Sequence, residues 1–136
     1  MTNLQFRHRQ NKKKTWMIPL IIIVLLYLTI PILLINKGED SFDKAVSAIE
    51  SNLIQAGNYY NSGIVFTDLA GNFPGFSAWA KKTALQGKEK IMNSFKRRCE
   101  ELKKKNIKEQ NKFCEESKAF IQKTKIQVPE CEDICK

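Results

Sequence analysis

The stretch WMIPLIIIVLLYLTIPILLI, Trp16 to Ile35, runs twenty residues without a charged side chain. At about 1.5 Å of rise per residue, a helix of that length spans roughly 30 Å, the thickness of a bilayer's hydrocarbon core. Fourteen of the twenty are Ile, Leu or Val. At about −0.3 to −0.6 kcal/mol each, they favour insertion by at most roughly 4–8 kcal/mol. Helical folding satisfies the backbone groups, which lipid cannot do. Pro19 falls in the first turn, where its missing N–H costs nothing, and Pro31 is expected to kink the last turn. The stretch holds no ionisable side chain and no Gly-xxx-Gly, so it reads as an anchor rather than as an ion path or a self-association seam. A cleaved secretory signal would have an apolar run of about 7–15 residues ending at a small-x-small site. Here the run is longer and ends in Ile32-Leu33-Leu34-Ile35-Asn36-Lys37, which points to an uncleaved anchor.

The flanks suggest an orientation. Arg7, Arg9, Lys12, Lys13 and Lys14 precede the anchor with no acid among them, whereas Lys37 on the far side faces Glu39, Asp40 and Asp43. The positive-inside rule puts the N-terminus in the cytoplasm, or in the matrix if the membrane is mitochondrial. The expected organisation is a basic tail over 1–15, an anchor over 16–36 and an exoplasmic domain over 37–136. That domain would lie in the periplasm or the intermembrane space.

About a hundred residues are enough for one small core. The expected fold class is mainly α: the transmembrane helix, then a small disulfide-stapled helical domain made of a helical hairpin and one preceding helix. Phe42, Ala45, Val46, Ile49 and Leu53 recur at helical spacing, with Asp40 or Ser41 as cap and Gly57 as stop, which predicts a helix over 41–56. Residues 57–77 are punctuated by Gly57, Gly63, Gly71, Pro74 and Gly75 among Tyr59, Tyr60, Phe66, Phe73 and Phe76, which predicts a loop whose aromatics fill the core. The other reading of those aromatics is a docking patch or a surface resting on the bilayer. A second helix is expected from Ser77, with Trp79, Ala80, Ala84, Ile91, Phe95, Cys99 and Leu102 on one face. A polar stretch over 103–112 is either a turn or a solvated helix. Phe113, Phe120 and Ile121 resume the apolar pattern, and Pro129 ends it.

All four cysteines, Cys99, Cys114, Cys131 and Cys135, follow the anchor, and an even count on an oxidising side reads as two disulfides. Three pairings are possible. A turn centred between Asn106 and Ile107 would set Cys99 opposite Cys114. Alternatively Cys131 and Cys135 staple the tail onto the hairpin, which is favoured because residues four apart on a helix make poor disulfide geometry.

The chemistry of catalysis is hard to find. The single histidine, His8, precedes the anchor, so no Ser-His-Asp or Cys-His set can form beyond it. The cysteine spacings do not repeat a zinc knuckle, and the glycines fit no phosphate-cradling motif. These features argue against an enzyme and imply no cofactor or metal. Residues 81–112 carry 12 basic and 4 acidic groups. Within them Lys96, Arg97, Arg98, Lys103, Lys104, Lys105, Lys108 and Lys112 form a candidate patch for an anionic surface or an acidic protein, set against a plain solvated face. Phe95 is the one aromatic in that block, which argues against nucleic acid. The leading functional expectation is an accessory or scaffold subunit of a larger membrane complex, whose partners are the bilayer and other subunits. An envelope lysis or inhibition factor is one alternative. A membrane-tethered thiol-disulfide protein acting through Cys131 and Cys135 is another.

Overall fold

The structure, a computed structural model, describes residues 3–135, with side chains from Thr15 onward. The basic side chains of the 1–14 tail lie outside the described residues. Five helices follow in order: α1 (Asn3–Ala48), α2 (Leu53–Gly71), α3 (Ser77–Leu102), α4 (Ile107–Thr124) and the short α5 (Pro129–Glu132). The chain is mainly α, with no strand among the described residues and one helix long and apolar enough to cross a membrane.

That helix does not stop where the apolar run stops. α1 passes through Pro19 and Pro31 and continues to Ala48, so the apolar segment and the first helix of the domain are one rod. The capping expected at Asp40 and Ser41 is not used. Ser41 Oγ donates to the Lys37 carbonyl at 2.8 Å, and Asp40 pairs with Lys44 at 2.6 Å. An uninterrupted helix leaves no free N–H for either residue to cap. The break comes instead at Ile49–Asn52, where the Asn52 side chain accepts from Gln55 N at 3.0 Å and starts α2.

α2 corrects the loop expected over 57–77. Residues 53–71 are helical, and the irregular connection shrinks to 72–76. The glycines that read as breakers are contact points. A Cβ on Gly63 or on Gly87 would collide with the Phe42 ring, so α2 and α3 approach α1 closely only because those two positions lack one. Phe42 is 1% exposed and sits in the slot between them, its ring 5.9 Å from that of Tyr60.

α2 runs antiparallel to α1, with Tyr60 beside Phe42 and Phe73 beside Tyr27. α3 turns back parallel to α1, as the pairs Lys90–Asp43 and Arg97–Glu50 record. Ala80, Ile91, Phe95, Cys99 and Leu102 are buried on one face of α3, while Trp79 stays largely exposed. α4 lies along α2, with Gly57 against Phe120 and Lys123, and Lys123 Nζ donating to Asn58. Toward α3 it presents rings: Phe95 stands 5.7 Å from Phe113 and 4.9 Å from Phe120. α4 ends at Thr124, ahead of Pro129, through Lys125 in the left-handed region at φ 59°. The chain then returns Ile126 and Val128 to the core, and Pro129 opens α5 rather than closing α4.

The tail is bonded to both α3 and α4. Cys131 bonds Cys99 on α3, and Cys135 bonds Cys114 on α4. The tail-stapled arrangement therefore holds, and Cys99 is not bonded to Cys114. Cys114 lies one residue, about 100° of helix, off the Phe113–Ser117–Phe120 face, and so reaches the tail rather than α3.

Candidate functional site

The basic block divides once it is folded. Lys96 pairs with Glu130 of α5 at 2.6 Å, and Arg97 pairs with Glu50 beyond the end of α1 at 3.2 Å. Arg98 meets Glu101 at 3.6 Å, Lys105 meets Glu109 at 3.4 Å, and Lys112 meets Glu116 at 4.0 Å. Five of the eight candidates thus face carboxylates already. Three, Lys103, Lys104 and Lys108, make no salt bridge among the described residues. They flank Ile107 along the chain, and Ile107 is 75% exposed.

This cluster is the α3–α4 turn, and its backbone is well fixed. The Asn106 side chain accepts from Glu109 N at 3.0 Å and caps α4. Gln110 Nε2 donates to the carbonyls of Leu102 at 2.9 Å and Lys105 at 3.1 Å, which satisfies acceptors at the end of α3. Lys103 and Lys104 suit this position because the carbonyl end of α3 carries partial negative charge, whereas Lys108 stands in the first turn of α4. The turn also settles the 103–112 stretch, which is a turn followed by the start of α4. Ala80, packed beside Ile35, lies 22 residues before Leu102 along α3. The turn therefore stands roughly 33 Å from the end of the apolar run.

The turn can hold anionic or mixed anionic-apolar groups by charge and by contact with Ile107. Its order depends on Asn106 and Gln110, whose roles follow from the position of the turn and were not legible as site residues beforehand. The partners that neutralise Lys96 and Arg97 come from α5 and the α1–α2 connection, so no local pattern in α3 announces them. Cys131 and Cys135 belong to separate bridges, each with a partner on another helix, and so do not form a redox couple with each other.

The Lys96–Glu130 pair ties α5 to α3 beside the Cys99–Cys131 bridge. The hydrogen bond from Lys96 and its charge hold the Glu130 carboxyl below its usual range, and the same hydrogen bond raises Lys96. A depressed carboxyl pKa stabilises the fold above the unfolded value, and that contribution is lost as pH falls through the folded one. Amide exchange in α5, corrected for its intrinsic pH dependence, should therefore quicken modestly only in acid, below the ordinary carboxylate value of 4.5. Lys96→Ala should quicken it already at neutral pH and flatten that acid response. Exchange measured against pH for both proteins checks this.

No family model, no curated protein and no solved structure matches this chain.

Proposed function

We propose that the protein is a single-pass membrane-anchored accessory or scaffold subunit that holds partner proteins of a larger membrane assembly through its folded domain. The observation that carries this reading is the continuity of α1. The segment apolar enough to cross a membrane runs without a break into the core of the domain, where Phe42 and Ala45 are buried. A rod of that kind fixes the height and orientation of whatever the domain presents, whereas a flexible tether would not. The two disulfides and the fixed Lys103–Lys108 turn suit the same purpose, since a preorganised surface loses less entropy on binding. In this reading the N-terminus is cytoplasmic or in the matrix. The domain occupies the periplasm or intermembrane space, where disulfides persist.

The test is a mild-detergent affinity isolation at native expression, comparing the wild type with Lys103→Glu/Lys104→Glu/Lys108→Glu. The expected result is a stoichiometric membrane-protein partner with an acidic surface that the triple variant no longer retains. A wild-type chain that runs only as a lone monomer under gentle conditions would overturn the subunit reading. Undiminished retention by the variant would move the contact away from this turn.

A further inference from the structure

The end of the α2–α3 pair lies alongside the apolar run of α1, not above it. Tyr27 Oη donates to the Pro74 carbonyl at 2.9 Å, and the Tyr27 and Phe73 rings meet edge to face at 5.8 Å. Higher up, Ile35, Ala70 and Ala80 form one buried cluster with Leu34 and Phe76 against it. The connection therefore reaches about 12 Å, eight residues of helix rise, back from Ile35 along α1.

Charge follows the same levels. Between Asp68 on α2 and Lys81 on α3 there are twelve residues, Leu69–Ala80, with no ionisable side chain. The cluster sets Ala70 and Ala80 beside Ile35, so Asp68, Lys81 and Lys82 stand level with Asn36 and Lys37, where the charge-free run of α1 also ends. Three segments distant in sequence thus begin their charges in one plane. On the near side of that plane Leu69 is 47% and Trp79 45% exposed.

We propose that this end of the domain, Leu69–Ala80, is buried in the acyl chains of the leaflet on the domain's side, so that three helical segments rather than one enter the lipid. This rests on the anchor reading. If Trp16–Ile35 spans the bilayer, whatever bonds to Tyr27 shares its depth. Lipid is the occupant the levels fit, because the charge-free residues Leu69–Ala80 share the depth of the apolar run of α1. Backbone groups in hydrocarbon need partners within the protein, and the short connection supplies several of them. Phe73 N donates to Ala70 O at 3.1 Å, Phe76 N donates to Phe73 O at 3.0 Å, and Pro74 has no N–H to satisfy. The Pro74 carbonyl takes the Tyr27 phenol, which accounts for a hydroxyl placed in the middle of the run. The polar side chains Asn72 and Ser77 line one cleft between α2 and α3 together with Asp68 and Lys81. Trp79, two residues before Lys81 on α3 and so just below the charged plane, is placed as an interface aromatic would be.

The chain has two tryptophans, which allows the test to separate this proposal from the anchor reading. Full-length Trp16→Phe, which keeps Trp79, and Trp79→Phe, which keeps Trp16, are placed in phosphatidylcholine vesicles. Quenching by bromine on the acyl chains is compared with quenching by iodide on both faces. The expected result is that each tryptophan loses most of its emission to the brominated chains and Trp79 loses little to iodide. If bromine reaches Trp16 while Trp79 is quenched by iodide alone, the anchor stands and the proposal fails. If bromine reaches neither, both fail. A domain whose end waits in water for a protein partner gives the first of these failures.

Discussion

Phe42→Ala should lower the unfolding free energy of the domain by about 3–5 kcal/mol, the usual cost of removing a fully buried aromatic from a core that cannot collapse. Collapse is prevented here because the walls of the slot are helix backbone at Gly63 and Gly87 rather than movable side chains. The complementary substitution tests the same geometry from outside. Gly87→Ala places a methyl group inside the volume of the ring and should cost about 1–3 kcal/mol by overpacking, against the gain that alanine gives in an open helix. In the double variant the methyl group occupies part of the cavity, so the two costs should sum to more than the pair displays. Urea unfolding of the intact chain in mild detergent, followed by near-ultraviolet circular dichroism, measures all three. A Gly87→Ala protein as stable as wild type would show that α3 does not approach α1 as closely as described.

Removing the Cys99–Cys131 bridge by changing both residues to alanine should cost about 3–4 kcal/mol. The chain-entropy relation gives about 3.7 kcal/mol for its 32-residue loop. For the 21-residue loop between Cys114 and Cys135 it gives about 3.3 kcal/mol. The two bridges should nevertheless differ in what they release. Cys99 and Cys131 are 0% and 3% exposed and lie in the same core as Ile126 and Val128, so opening that bridge exposes the tail's apolar residues. Opening the other bridge frees mainly the last few residues. Because the loops overlap in sequence, loss of both should cost less than the sum of the single losses. Unfolding midpoints give the stabilities, and amide exchange at 126–131 distinguishes the two releases: rapid exchange only when Cys99–Cys131 is open. Equal protection in both variants would mean that packing, not the bridge, holds the tail.

The parts of this fold that were legible in the sequence are those carried by neighbours in the chain. The apolar run, the face Ala80–Ile91–Phe95–Cys99–Leu102 and the apolar return at Phe113 and Phe120 all follow from spacing. So does the preference for a tail stapled by its cysteines. The expectation failed at Gly57, Gly63 and Gly71, where low helix propensity suggested a loop. Tertiary packing outweighed propensity there, because bare backbone at Gly63 admits the Phe42 ring and Gly57 lies against Phe120. The same override ran α1 through Gly38 and Ser41. The candidate patch was legible as composition only. Which lysines stay unpaired depends on Glu50 and Glu130, and those carboxylates arrive from other parts of the chain.

The sequence alone determined that one segment can cross a membrane, that a small helical domain follows it and that four cysteines would staple that domain. Each of these is a matter of hydropathy, period or count along a continuous chain. Only the tertiary structure decided that the apolar segment and the domain share one helix and that Cys99 takes Cys131 rather than Cys114. It alone set Phe73 and Pro74 beside Tyr27. Those outcomes depend on which surfaces fit when helices distant in sequence close on one another, and a ring lodged between two glycines fixes that fit more firmly than local preference does.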